Sequence, residues 1–127
     1  MSDYKDVNLN KISDSILSCQ LPNIGLLGLG DDGHFASIFP NSKTIKEDSN
    51  GVVRIIYSES SDQKYRVTLT EKFIKSIQEL LFIVKGQSKF KIINKIKENL
   101  SSIKHLPIGK LIKSYDGKLN IMYCVND

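Results

Sequence analysis

The chain has 127 residues, a length that fits one domain with its own hydrophobic core. Hydrophobic residues make up 40% and charged residues 25%, as in ordinary globular proteins, and no apolar run approaches the ~20 residues that span a bilayer. The net charge of +4 comes from lysines rather than from the two arginines, Arg54 and Arg66. Neither a membrane protein nor a nucleic-acid-binding protein is therefore predicted.

The cysteines and the N-terminus indicate the compartment. Cys19 and Cys124 stand far apart and outside any motif with metal-ligand spacing, so we expect free thiols. Residues 1–6 lack the apolar segment of a signal peptide. The sequence therefore predicts a cytoplasmic protein.

The first predicted elements are a short helix and a strand. Apolar residues at helical spacing predict a helix over about residues 8–20, and Leu21-Pro22 ends it because the residue before proline avoids the helical region. Residues 24–29 are almost wholly apolar, which predicts a strand buried on both faces, as in a parallel sheet.

A glycine-rich turn with two carboxylates follows this strand. The turn, residues 28–33, includes Asp31 and Asp32 and leads directly to His34. Residues 33–39 predict a brief helix. The unpaired N–H groups and the dipole of a helix start favour anions and disfavour a further positive charge, so we expect His34 to be uncharged near neutral pH. An uncharged imidazole beside anion-binding backbone is typical of a hydrolase or isomerase that acts on a small polar substrate.

The middle of the chain alternates polar connections with short strands. Residues 41–51 are polar and predict a loop, whereas the β-branched residues of 52–57 predict a strand. Tyr65–Leu69 predicts another strand. Thr70 is the expected N-cap of a helix over about residues 71–78.

The last third of the chain predicts a strand, a helix and a final strand. Residues 80–84 predict a second fully buried strand, and Gly86 allows a sharp turn. A helix begins at Ser88 and ends near residues 106–108, and its apolar stripe consists of Ile92, Ile93, Ile96, Leu100 and Ile103. Residues 119–125 predict the last strand. Strands that alternate with helices indicate one α/β domain over residues 1–127, a Rossmann-like, three-layer arrangement of a parallel-rich sheet flanked by helices.

Residues 27–40 resemble the signature of the 6-phosphogluconolactonase family. They read Leu-Gly-Leu-Gly-Asp-Asp-Gly-His-Phe-Ala-Ser-Ile-Phe-Pro, with Phe35 where the family pattern has threonine. Residues 66–70, 81–89 and 106–107 resemble three further blocks of the family in the same order. The related glucosamine-6-phosphate deaminases or isomerases share the Gly-x-Asp-Gly-His core but continue with asparagine-glutamate-proline, which residues 37–40 do not match.

The resemblance covers only the C-terminal half of the family's domain. The family's N-terminal half carries a Gly-Gly-Ser-type phosphate loop and an acidic-arginine motif, and the sequence has no counterpart of either. An incomplete domain is therefore expected, with the missing N-terminal half or a second copy of the chain as its partner. Uncovered apolar strands would favour such association.

Hydrolysis of a sugar lactone needs a base for the attacking water. We assign that role to His34, as the resemblance also implies. Asp32 is expected to fix the tautomer of the imidazole or to form hydrogen bonds with hydroxyl groups of the substrate, or else to bind backbone N–H groups of its own turn. Gly30 and Gly33 allow close approach of the backbone to the substrate, and amides near Gly33 and His34 are candidates for stabilising the oxyanion.

The phosphate of the substrate needs cations. Lys89 follows the turn at Gly86 and stands at the start of a helix, and the resemblance supports it as a phosphate ligand. Arg66, in the second matched block, is a further candidate. Neither a cofactor nor a metal is predicted, because no second histidine or cysteine stands at coordinating spacing from His34.

The resemblance implies hydrolysis of 6-phospho-D-glucono-1,5-lactone to 6-phosphogluconate, a step of the pentose phosphate pathway. Two alternatives stay open from the sequence. One is a glucosamine-6-phosphate deaminase or isomerase, and the other is a truncated module that binds a phosphosugar without catalysis.

Overall fold

The computed structural model describes residues 4–126, so Met1 to Asp3 and Asp127 of the predicted domain lie outside the described residues. The strands are β1 (Ile24–Leu27), β2 (Lys43–Glu47), β3 (Val53–Tyr57), β4 (Tyr65–Leu69), β5 (Glu79–Lys85) and β6 (Lys118–Cys124). The α-helices are α1 (Leu9–Leu17), α2 (Glu71–Lys75), α3 (Phe90–Glu98) and α4 (Pro107–Ser114). None of the helices in this described part has the length and hydrophobicity needed to traverse a bilayer.

The strands form two sheets of different kinds. β1, β5 and β6 form a parallel sheet in the order β1-β5-β6, which confirms the predicted α/β class with a parallel sheet flanked by helices. β2, β3 and β4 form an antiparallel meander, a unit that the sequence pattern did not distinguish from the parallel sheet. The two cysteines are free, as predicted, and both are exposed.

The parallel sheet is covered by helices on one face. Leu80, Phe82 and Val84 of β5 are at most 2% exposed and pack against apolar residues of α3 and α4. The antiparallel sheet has a separate apolar cluster, in which Val53 and Ile55 pack with Leu9 of α1. Each sheet therefore has its own small core.

The other face of the parallel sheet is exposed, contrary to the prediction that its strands are buried on both faces. Ile24, Leu26, Ile83 and Met122 are between 51% and 65% exposed. The register pairs Leu26 with Leu81 and Ile83 with Met122, so these side chains share one side of the sheet. We call these four residues the open sheet face. Its apolar composition is the reason that the sequence predicted full burial.

Three local predictions were wrong. Residues 33–39 form a turn closed by a bridge between Phe35 and Ile38, not a helix, and Ala36 has a φ of 51°. The predicted loop 41–51 contains β2, whose side chains are exposed and therefore leave no alternating pattern. Pro107 begins α4 rather than closing a helix, because proline is well suited to the first helical turn.

The helix boundaries differ by a few residues from the predictions. The helix at 8–20 ends at Leu17, and the hydroxyl groups of Ser15 and Ser18 donate to carbonyls one turn back. Thr70 is the N-cap of α2, as predicted: its hydroxyl oxygen accepts a hydrogen bond from the N–H of Phe73. The helix predicted from Ser88 is divided at Asn99 into α3 and a 3-10 turn.

Asp48 holds the turn between β2 and β3. Its carboxylate accepts hydrogen bonds from the N–H groups of Asn50, Val52 and Val53 at 2.7–2.8 Å, and the residue is 5% exposed. Burial raises the pKa of Asp48, but the hydrogen bonds from Val53 and its neighbours outweigh burial, so the pKa lies below its usual value.

We expect Asp48→Asn to lower the free energy of unfolding at pH 7 by about 1–3 kcal/mol, because an amide does not replace all three bonds. A pKa below the unfolded value means that this stabilisation is complete above pH ~4 and is lost as the pH falls through the folded pKa. Urea unfolding at pH 7 and at acid pH should therefore show a difference between wild type and variant that shrinks on acidification. A difference that is constant with pH would contradict this role of the carboxylate.

Candidate functional site

The turn after β1 is a closed loop of backbone hydrogen bonds. The N–H of Gly30 donates to the carbonyl oxygen of His34 at 2.8 Å, and the N–H of Gly33 donates to the carbonyl oxygen of Gly30 at 3.0 Å. The carbonyl oxygen of Gly33 accepts from the N–H of Ile108 in α4 at 3.0 Å. The turn therefore presents His34 from a backbone that is fixed on two sides.

Asp32 orients the imidazole of His34. Oδ1 of Asp32 lies 2.5 Å from Nδ1 of His34 and also accepts the backbone N–H of His34 at 3.1 Å. An ionised carboxylate only accepts, so in the neutral imidazole the proton is on Nδ1 and the lone pair is on Nε2. One carboxylate oxygen therefore contacts both the imidazole and the backbone of its own turn, and hydrogen bonds from Asp32 to substrate hydroxyl groups stay a prediction.

The absence of a side chain at Gly30 permits this pair. A Cβ at Gly30 would lie 2.1 Å from Nδ1 of His34 and 2.7 Å from Oδ1 of Asp32, well inside van der Waals contact. Gly33 has a φ of 85°, and a Cβ there would meet the side chains of Leu106 and Ile108. Gly30 therefore makes room for the imidazole, whereas Gly33 faces α4.

His34 and Lys89 line the same open cavity of about 350 Å³. Gly28 and Gly30 also line this cavity, and Gly33 does not. The side chains of His34 and Asp32 are 30% and 37% exposed, so a ligand can reach the imidazole. Neighbouring parallel strands bring these residues together, because the turn carrying His34 follows β1 and the segment carrying Lys89 follows β5.

The position of Lys89 is fixed by Gly86. Gly86 has a φ of 107°, which glycine adopts without strain, and its N–H donates to the carbonyl oxygen of Cys124 at 2.9 Å. The hydroxyl of Tyr123 donates to the carbonyl oxygen of Gly86 at 2.9 Å. Lys89 then follows in a 3-10 turn and is the N-cap of α3, so its place at a helix start is as predicted.

Arg66 is linked to His34 through Phe39. The ring centroids of His34 and Phe39 are 4.3 Å apart, and the guanidinium carbon of Arg66 lies 5.7 Å from the centroid of the Phe39 ring. Nε of Arg66 donates to Oγ of Ser61 at 2.6 Å. Arg66 is therefore adjacent to the turn but does not line the cavity that His34 and Lys89 share.

Phe39 and Thr68 support the turn and were not singled out as site residues. The Phe39 ring stands between the imidazole of His34 and the guanidinium of Arg66. Oγ1 of Thr68 accepts a hydrogen bond from the N–H of Ser37 at 3.1 Å. Both lie within segments that carry the family resemblance. The contacts of Phe39 with Arg66 and of Thr68 with Ser37 join residues about 30 positions apart, so local sequence patterns do not reveal them.

Two expectations about the turn do not hold. No helix begins at His34, so the dipole argument for an uncharged imidazole does not apply. The N–H groups of Gly33 and His34 are bonded to Gly30 and Asp32, so they are not free to stabilise an oxyanion. Within residues 4–126, no group of three acidic, histidine or cysteine side chains is placed to hold a metal ion.

Comparison with known proteins places these residues in a family. The family model described as Glucosamine-6-phosphate isomerases/6-phosphogluconolactonase matches residues 4–120. The chain is 32% identical over 102 residues to a Dictyostelium discoideum protein named "Probable 6-phosphogluconolactonase", covering 80% of this chain and 42% of the relative. It is 34% identical over 92 residues to 6-phosphogluconolactonase of Haemophilus influenzae, covering 72% of this chain and 38% of the relative.

A solved structure agrees with this result. The crystal structure of 6-phosphogluconolactonase from Leishmania guyanensis has a TM-score of 0.69 and 26% identity, covering 91% of this chain and 48% of that chain. The present chain therefore spans about half the length, or less, of the relatives it matches.

Proposed function

Because the chain belongs to the glucosamine-6-phosphate isomerase/6-phosphogluconolactonase family, we propose that it hydrolyses 6-phospho-D-glucono-1,5-lactone to 6-phosphogluconate. The observation that carries the proposal is the Asp32–His34 pair, which opens on the same cavity as Lys89. The identity of the substrate is inferred from the relatives, which are named 6-phosphogluconolactonases. This reaction belongs to the pentose phosphate pathway.

His34 acts as the general base in this proposal. Nε2 of His34 takes a proton from water while the water oxygen attacks C1 of the lactone, forming a tetrahedral intermediate. The bond between C1 and the ring oxygen then breaks, and the protonated imidazole returns its proton to that oxygen. The product is an open-chain acid that ionises at neutral pH. Asp32 holds Nδ1 and stabilises the imidazolium that forms during the reaction.

Lys89 and Arg66 hold the phosphate of the substrate in this proposal. The role of Lys89 has the more direct support, because Lys89 lines the cavity together with His34. Arg66 is held by Ser61 and Phe39 at the border of the turn, where a planar guanidinium can bind two phosphate oxygens at once. Contact of the substrate with the backbone of Gly30 and Gly33 stays a prediction.

We further propose that the open sheet face is covered by the additional chain that the relatives possess. The matched relatives are about twice as long as the matched region, and within residues 4–126 the parallel sheet has two unpaired edges as well as an uncovered apolar face. A helix-bearing segment packed on this face would produce the three-layer arrangement. We assign catalysis to the form in which this additional chain is packed on the open sheet face.

The proposal includes a cytoplasmic location, supported by the two exposed free thiols. The substrate is a phosphorylated sugar lactone, and neither nucleic acid nor a membrane is part of the proposed activity. No cofactor takes part in the mechanism described.

A chimera tests the proposed activity. This chain replaces the matched part of the Leishmania guyanensis relative, and the chimera and the isolated chain are offered the lactone or glucosamine-6-phosphate. We expect the chimera to form 6-phosphogluconate faster than uncatalysed hydrolysis, and we expect neither form to release ammonia from glucosamine-6-phosphate. Ammonia release would favour the deaminase alternative. A folded chimera that binds 6-phosphogluconate without hydrolysing the lactone would favour the non-catalytic module.

A further inference from the structure

A second and larger cavity adjoins the turn that carries His34 through Phe39 but has its own lining. It has a volume of about 640 Å³ and lies between the segment 35–44, α2 and α4. Phe35, Ile38 and Leu111 form apolar parts of its wall. No residue that lines it also lines the His34 cavity, so a ligand here would not compete with the proposed substrate for contacts.

Arg54 of β3 is an incompletely bonded cation in the wall of this cavity. Its side chain is 15% exposed, and Nη2 donates to Oε1 of Glu71 at 2.5 Å. Nε of Arg54 is buried and has no hydrogen-bond acceptor among the residues that the structure describes. Arg54 lines the cavity, and among the described residues Glu71 accepts from only one of its guanidinium nitrogens, so the guanidinium keeps donor capacity for a ligand there.

The charges around Arg54 define the acceptor. Lys75 of α2 and Lys110 of α4 line the cavity, and Nζ of Lys75 lies 3.5 Å from Oγ of Ser114, which links the two helices. The described lining thus has three permanent cations and one carboxylate, Glu71, an excess of two positive charges. A phosphate monoester carries nearly two negative charges at neutral pH and offers several acceptor oxygens.

From this arrangement we propose that the cavity bounded by Arg54, Lys75 and Lys110 binds a small phosphate-bearing anion. The phosphate oxygens accept from the guanidinium of Arg54 and from the two ammonium groups, and the apolar wall contacts the rest of the ligand. The site is independent of the proposed lactone hydrolysis.

Arginine side-chain NMR tests this proposal, because the chain has only two arginines and each reports on one site. Inorganic phosphate is titrated into the ¹⁵N-labelled chain while the Nε–H resonances are followed, and Arg54→Lys assigns them. We expect the Arg54 resonance to shift and saturate. Lys75→Gln and Lys110→Gln should each weaken the apparent affinity roughly tenfold, since each removes a charge-assisted hydrogen bond.

Four controls make the result decisive. Lys113→Gln, on α4 but outside the cavity lining, should leave the Arg54 titration unchanged. Lys89→Gln should weaken only the response of Arg66, so the two sites fail or succeed separately. An Arg54 resonance that does not move, or that moves equally with sodium chloride or in the Lys75→Gln/Lys110→Gln double variant, would overturn the proposal.

Discussion

Replacing His34 with alanine is expected to lower kcat for lactone hydrolysis by roughly 10²–10⁴-fold, the usual contribution of a general base. The physical reason is that Nε2 is the free acceptor of an imidazole whose other nitrogen is held by Asp32. The measurement is the rate of acid release from the lactone in a pH-stat, on the chimera with and without the substitution. Binding of 6-phosphogluconate should change far less, because Lys89 and Arg66 are retained.

The neighbouring carboxylates provide a matched pair for the same assay. Asp32→Asn should lower kcat at least roughly tenfold, because an amide can stabilise the wrong tautomer of His34. Asp31→Asn removes an equal charge from the same turn, but Asp31 makes no hydrogen bond to the imidazole, so its rate should stay close to wild type. Equal effects of the two substitutions would indicate a general charge effect. An unchanged rate in His34→Ala would exclude the general-base assignment.

Ile83→Lys is expected to be tolerated in the isolated chain and to destabilise the chimera by at least about 3 kcal/mol. Ile83 is 51% exposed in this chain, so a lysine there reaches water. If additional chain covers the open sheet face, the same lysine loses the burial of an isoleucine and places a charge in an apolar interface. Urea unfolding of both forms, each with and without the substitution, measures the difference.

Ile45→Lys is the control for this experiment. Ile45 is 42% exposed on β2 of the antiparallel sheet, away from the open sheet face, so lysine should have a small and similar effect in both forms. A chimera that tolerates Ile83→Lys as well as Ile45→Lys would show that the face stays exposed. The isolated chain should also self-associate more strongly than its Ile83→Lys variant in sedimentation velocity, because exposed apolar patches promote association.

The strands of the parallel sheet were predictable because their signal is local. Residues 80–84 and 119–125 are short apolar runs between turn residues, and β5 and β6 are found there. The antiparallel β2 was missed because all of its side chains are exposed, so no alternation of polar and apolar residues marks it. The turn at His34 was mistaken for a helix because nothing in residues 33–39 indicates that Ala36 has a positive φ.

The sequence by itself determined the α/β class, the family resemblance and the proximity of Asp32 to His34, because all of these depend on residue identity or on neighbours a few positions apart. Only the tertiary structure decided that Lys89 lines the cavity of His34, that Arg66 reaches the turn through Phe39, and that one face of the parallel sheet is open. Those facts depend on which strands pair and which helices pack on them. Such contacts join distant parts of the chain, and an apolar strand has the same pattern whether its second face is covered by this chain or by another.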